Sequence, residues 1–200
     1  MNNPFEKFHE REVREKTLKE VKEEEREGFD KNKVAFIVNV YDNYGPLFNF
    51  PAITKYLKEL SYTEKEVEEF SYMLGRRIKN DDWSPGRFME VLIRHMEGEE
   101  VTLHTKDYDL EFDALGHQMD AKNVSVDGDA GDHLGYEMRG GSISVFGNAG
   151  NHVGNRMGEG EIKVYGNAEG AGISMRGGKV HIKGSLDNIC LDGFTGGEIW

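Results

Sequence analysis

From Val124 onward, apolar and polar positions alternate in short bursts that recur at a nearly fixed interval. Val124-Ser-Val126, Ile143-Ser-Val145, Ile162-Lys-Val164 and Val180-His-Ile182 each set two apolar side chains around a polar one. That is the period-two pattern of a strand with one buried face. Successive starts lie nineteen, nineteen and eighteen residues apart, and Ile199-Trp200 begins a fifth copy. Other apolar positions recur with the same interval. Ala130, Ala149, Ala168 and Leu186 stand near a first corner, Leu134, Val153 and Cys190 midway, and Met138, Met157, Met175 and Phe194 near the end. Glycines separate them, at Gly128, Gly147, Gly166 and Gly184, at Gly131 and Gly150, and at Gly135 and Gly154. Only a residue without Cβ turns a strand sharply or takes positive φ at little steric cost. A short strand, a glycine corner and another short strand, repeated, predict the coils of a parallel β-helix. Stacking then makes Val124–Ile143–Ile162–Val180–Ile199 an inward ladder and brings Asn148 over Asn167 as a short amide ladder.

The segment Asp113–Met119 aligns with Asp132–Met138, nineteen residues later, so the first coil is expected to start near residue 100. Its strands are read at Val101/Leu103 and Leu110/Phe112, in a glycine-poor coil suited to capping the array. Before it the pattern differs. Residues 1–30 are rich in Glu, Lys and Arg with acid-first pairs four apart, which predicts a charged helical arm. The run Val34–Tyr41 (VAFIVNVY) reads as a buried strand, followed by a turn at Asp42–Pro46 and an aromatic loop at 47–51. Three helices follow. Pro51 opens the first, a capping box at Thr63/Glu66 the second, and Ser84-Pro85 the third. The expected fold class is α+β: a charged arm over 1–30, a mostly helical cap with one strand over 31–99, and a β-helix of about five coils over 100–200.

The glycine pattern carries a family resemblance. Gly128-x-x-Gly131-x-x-x-Gly135, followed by Met138-Arg-Gly-Gly, and its copy Gly147-x-x-Gly150-x-x-x-Gly154 resemble the GXGXG domain that ends the glutamate synthase large subunit. The same domain stands as a separate polypeptide in the formylmethanofuran dehydrogenase complex. The third copy departs at Glu169, and the fourth keeps the first glycine, Gly184. The resemblance covers about half the chain and implies a right-handed helix acting as spacer and docking body, with catalysis in other domains or subunits. Two functions follow as expectations: a non-catalytic structural or interaction body, or an accessory subunit of an amidotransferase or redox complex that helps shape a channel or active-site wall.

Composition narrows the partners. A net charge of -12 disfavours a phosphate backbone and an anionic membrane surface. No apolar run spans a bilayer, and the charged N-terminus is unlike a signal peptide, so a cytoplasmic location is expected. The lone cysteine, Cys190, has no disulfide partner and takes the repeat position of Leu134 and Val153, so it is read as core filler. His133 and His152 share one repeat position, preceded by Asp132 and Asn151. Stacking brings these imidazoles together, but two donors fall short of a metal site. No nucleophile elbow, phosphate loop or CxxC pair is present, and the glycines do not open a helix as a dinucleotide motif requires. Neither catalytic residue nor cofactor is expected. The coil beginning at Ile199-Trp200 exposes strand edges and an apolar rung, which predicts a protein partner or a second copy at that end.

Overall fold

In the computed structural model of the protein, the described residues are 29–44, 50–58, 60–75, 84–106 and 111–200. Residues 1–28 of the charged arm expected over 1–30, and 45–49 of the expected turn and aromatic loop, lie outside them. Four helices come first among the described residues: α1 (Lys31–Tyr44), α2 (Phe50–Lys58), α3 (Glu64–Gly75) and α4 (Ser84–His95). The strands are β1 (Glu100–His104), β2 (Asn123–Asp127), β3 (Arg139–Val145), β4 (Glu159–Val164), β5 (Ala168–Ala171), β6 (Lys179–Ile182), β7 (Leu186–Ile189) and β8 (Glu198–Ile199).

The strand expected over Val34–Tyr41 is helix. Its apolar residues also satisfy helical spacing: Val34, Ile37, Val38 and Tyr41 are all buried. A short run apolar on nearly every side reads alike as buried strand or buried helix, and here the packing decides. Tyr41 meets Phe70 and Phe88 edge-on, with ring centroids 6.0 and 5.1 Å apart. Asp30 caps α1 by accepting the Asn32 N–H at 2.8 Å, and the turn expected from Asp42 begins instead as the last helical turn.

The other helices start where their signals stand. Glu66 accepts the Thr63 N–H at 2.7 Å and the Thr63 hydroxyl at 2.5 Å, closing the capping box of α3. Its other oxygen accepts the Asp30 N–H at 2.8 Å, tying the start of α1 to that of α3. Burial opposes ionisation of Glu66, but the bonds from Thr63 and Asp30, with the charge of Lys33, hold its carboxyl below the usual range.

From Glu100 the chain winds into a parallel β-solenoid of about five coils, here numbered 1 (100–122), 2 (123–141), 3 (142–160), 4 (161–178) and 5 (179–200). The main sheet has order β1-β2-β3-β4-β6-β8, and a second wall pairs β5 with β7. Single bridges from Ala130 to Ala149 and from Ala149 to Ala168 continue that wall across coils 2 to 4. Val101, Val124, Ile143, Ile162, Val180 and Ile199 lie in register, one over the next. Of the second strand expected at Leu110/Phe112, Phe112 is fully buried and outside any strand, and Leu110 lies outside the described residues.

The helices close the coil 1 end. Ser71 of α3 accepts the His104 N–H at 3.1 Å, and Lys122 Nζ donates to the Met96 and Gly98 carbonyls at 3.2 and 2.5 Å. One continuous apolar core runs from α1 through coil 5. No helix among the described residues is long and apolar enough to cross a membrane.

Candidate functional site

The glycine corners are accounted for by what lies beside each missing Cβ. A Cβ on Gly147, Gly166 or Gly184 would stand 2.6, 2.6 and 2.5 Å from the carbonyl oxygen of Gly128, Gly147 or Gly166 in the coil before. At Gly131 and Gly150 it would strike the Asp113 and Asp132 carboxylates. Gly135 and Gly154 have φ of +70° and +68°, and a Cβ there would run into Ile162 or Val180 of the inward ladder. Gly128, at φ +132°, sits against the backbone of Lys106. Each is a place where backbone must touch its neighbour. A further column, Gly160, Gly178 and Gly197, covers Met138, Met157 and Met175, with Cε atoms 2.7, 2.7 and 2.6 Å from the missing Cβ. The residues the family motif draws attention to are thus fully engaged in packing.

The amide ladder takes a particular form. Asp129 Oδ1 accepts the Asn148 N–H at 2.6 Å, Asn148 Oδ1 that of Asn167 at 2.9 Å, and Asn167 Oδ1 that of Ser185 at 2.8 Å. A second file repeats the device: Asp113 Oδ1 accepts the Asp132 N–H and Asp132 Oδ1 that of Asn151, both at 2.7 Å. Side-chain oxygens therefore bind backbone N–H groups of the next coil rather than each other's amides. Burial, with Asp132 nearby, pushes the Asp113 carboxyl up although it accepts that N–H.

Beside this second file lies a strip of rings. The imidazoles of His133 and His152 stack at 4.8 Å with 27° between planes. Tyr136 meets His133 edge-on at 6.1 Å and stacks on His117 at 5.3 Å. Arg156 donates to the Tyr136 hydroxyl at 2.8 Å and lies 3.4 Å from Glu137, which also accepts from Gln118 at 2.8 Å. His117 is 3.8 Å from Glu90 of α4. Burial, then the neighbouring His152, lowers the His133 pKa below the ordinary imidazole range against the pull of Asp132 and Asp113. The stacked pair was legible from the repeat. The Tyr136–His117 stack also joins equivalent positions of successive coils, nineteen residues apart, and the same alignment could have shown it. Among the described residues no group of three or more His, Cys, Asp or Glu is placed to hold a metal.

Cys190 does not fill the place of Leu134 and Val153. Val153 pairs with Ala171 and Ala171 with Ile189, so Cys190 falls one step on, over Gly172, and is half-buried. The offset arises because coil 4 is one residue shorter between Ala168 and Ala171, a deletion that equal spacing from the coil start conceals.

A shallow polar groove of about 460 Å³ separates α3 from the outer face of β1 to β3, between Glu64 and Glu68 on one side and Thr102, Asn123, Ser125 and Ser142 on the other. Glu68 already bonds His104 Nε2 at 2.9 Å, and Tyr72 stacks on that imidazole at 3.9 Å. The groove is chiefly part of the joint between helices and solenoid.

At the coil 5 end no described element packs beyond β7 and β8. β7 and β8 each have a hydrogen-bonded neighbour on one side among the described residues. Ile189, Leu191 and Trp200 are exposed, and Ile199 is half-buried. Trp200 leans on His181, centroids 5.2 Å apart. Fold and surface together define a parallel β-solenoid with helices packed on its coil 1 end. No family model matches the chain, and neither a curated protein nor a solved structure is significantly similar to it.

Proposed function

We propose that this chain is a non-catalytic interaction body that takes a partner polypeptide, or a second copy, on coil 5. One column supports the reading. Leu115, Leu134, Val153 and Ala171 are buried one above the next, and Ile189, the next in line, is 60% exposed. Burying Ile189, Leu191 and Trp200 would contribute about 1.5–3 kcal/mol for each aliphatic side chain and a comparable amount for the indole. The edges of β7 and β8 that no described strand pairs add backbone donors and acceptors that invite another strand. The likeness of the glycine motif to the glutamate synthase β-helix agrees with a docking role, and it rests on those residues alone. The same reading places the body in the cytoplasm, where the Cys190 thiol stays reduced.

The test is sedimentation equilibrium of the purified chain over a range of concentrations, alongside Ile189→Asp/Leu191→Asp. The reading expects a mass above 22.7 kDa that rises with concentration, or a stoichiometric partner retained from native lysate, with either lost in the double variant. A 22.7 kDa species at every concentration, with nothing retained, contradicts it.

A further inference from the structure

We propose that the stacked pair His133–His152 is an acid-sensitive latch, whose protonation opens the turn strip of coils 2 and 3 while coil 4 stays closed. Both histidines sit at positive φ, 59° and 64°, on tight turns that ordinary L residues disfavour. Those turns are held by one bond along the axis and by one bond inside each turn. His133 N–H donates to the Asn151 carbonyl at 2.8 Å, while the carbonyls of His133 and His152 accept from Tyr136 and Asn155, both at 3.1 Å. The ring stack joins the two turns through side chains, beside the Arg156 bonds to Tyr136 and Glu137.

Neutral imidazoles stack favourably, whereas two imidazoliums at 4.8 Å repel. The surrounding charges do not cancel this. Asp132 and Asp113 favour the cation at His133, but one oxygen of each is held by the N–H of the next coil. Tyr136 meets His133 at a steep angle, and its hydroxyl accepts from Arg156, a further positive charge on the strip. Glu137 is engaged by Gln118 and Arg156, and Glu90 of α4 lies toward His117 and Arg94. The lowered His133 pKa fixes the sign. The contribution to stability is complete above the unfolded imidazole value, roughly 6.5, and is lost as pH falls through the folded one. Coil 4 serves as an internal control, because its shortened corner carries Glu169-Gly170 and no histidine.

The experiment is hydrogen exchange with mass spectrometry on the full chain at about pH 7.5 and pH 5.5, corrected for the intrinsic rate. Protection over 132–137 and 151–157 should fall at least about tenfold in acid, with 168–175 unchanged. His152→Asn, which tolerates positive φ, should abolish the fall, and His133→Asn should do the same independently. An equal fall in coil 4, an unchanged strip at pH 5.5, or an acid response that persists in both variants would overturn the latch.

Discussion

At the scale of single residues, the glycines divide into those that must lack a Cβ and those that need not. Gly154 combines φ +68° with a Val180 methyl 2.8 Å from where a Cβ would stand, whereas the nearest atom to a Cβ on Gly158 is 3.8 Å away. Gly154→Ala should therefore cost about 2–4 kcal/mol, from the left-handed backbone and the overpacked ladder together. Gly158→Ala should fall within about 0.5 kcal/mol of the parent. Urea titrations of the two variants measure both. This contrast was only half legible in the sequence. The repeat placed the glycines at corners, but their separate reasons, a carbonyl here and a methionine there, depend on which coil stacks above which.

Elements were read best where an end signal was local and worst where a run was apolar throughout. The capping box at Thr63/Glu66, through two hydrogen bonds, and the Ser84-Pro85 pair, through the fixed φ of proline in a first turn, stand at the observed helix beginnings. VAFIVNVY went the other way: β-branched residues favour strand, but burial against Phe70 and Phe88 rewards a helix that turns Val34, Ile37 and Tyr41 to one side. Glu66→Ala, which removes the bonds to Thr63 and Asp30, should destabilise the protein by about 1–2 kcal/mol. The sign with pH follows from a carboxyl held below its usual value. Its stabilisation is present above roughly pH 4.3, the unfolded value, and fades as pH falls through the folded one. Thermal melts from pH 7 to pH 3 should show the parent and Glu66→Ala converging in acid; a constant gap would remove the carboxylate from the explanation.

For the whole molecule, the decisive feature is that helices and coils share one core. Coil 1 has Leu103 and Val101 facing in, with α3 and α4 packed over it, so neither part closes its apolar surface alone. Ile162, in the middle of the ladder, is fully buried, and Ile162→Ala should cost about 2–5 kcal/mol. The loss should lower the helical signal at 222 nm and Trp200 fluorescence, read in a Trp83→Phe background, at one denaturant midpoint. Separate midpoints for the two probes would mean that the helices and the solenoid unfold as independent units. The coil spacing was read correctly from the period. The place of Ile189 was not read, because the one-residue deletion in coil 4 hides its column.

The stacked register is most directly tested by nuclear Overhauser contacts in the isotopically labelled protein. The predicted result is a set of interstrand backbone contacts joining Ser125 to Ser144, Ser144 to Lys163 and Lys163 to His181. Contacts shifted from these partners, or none between segments one repeat apart, would contradict it.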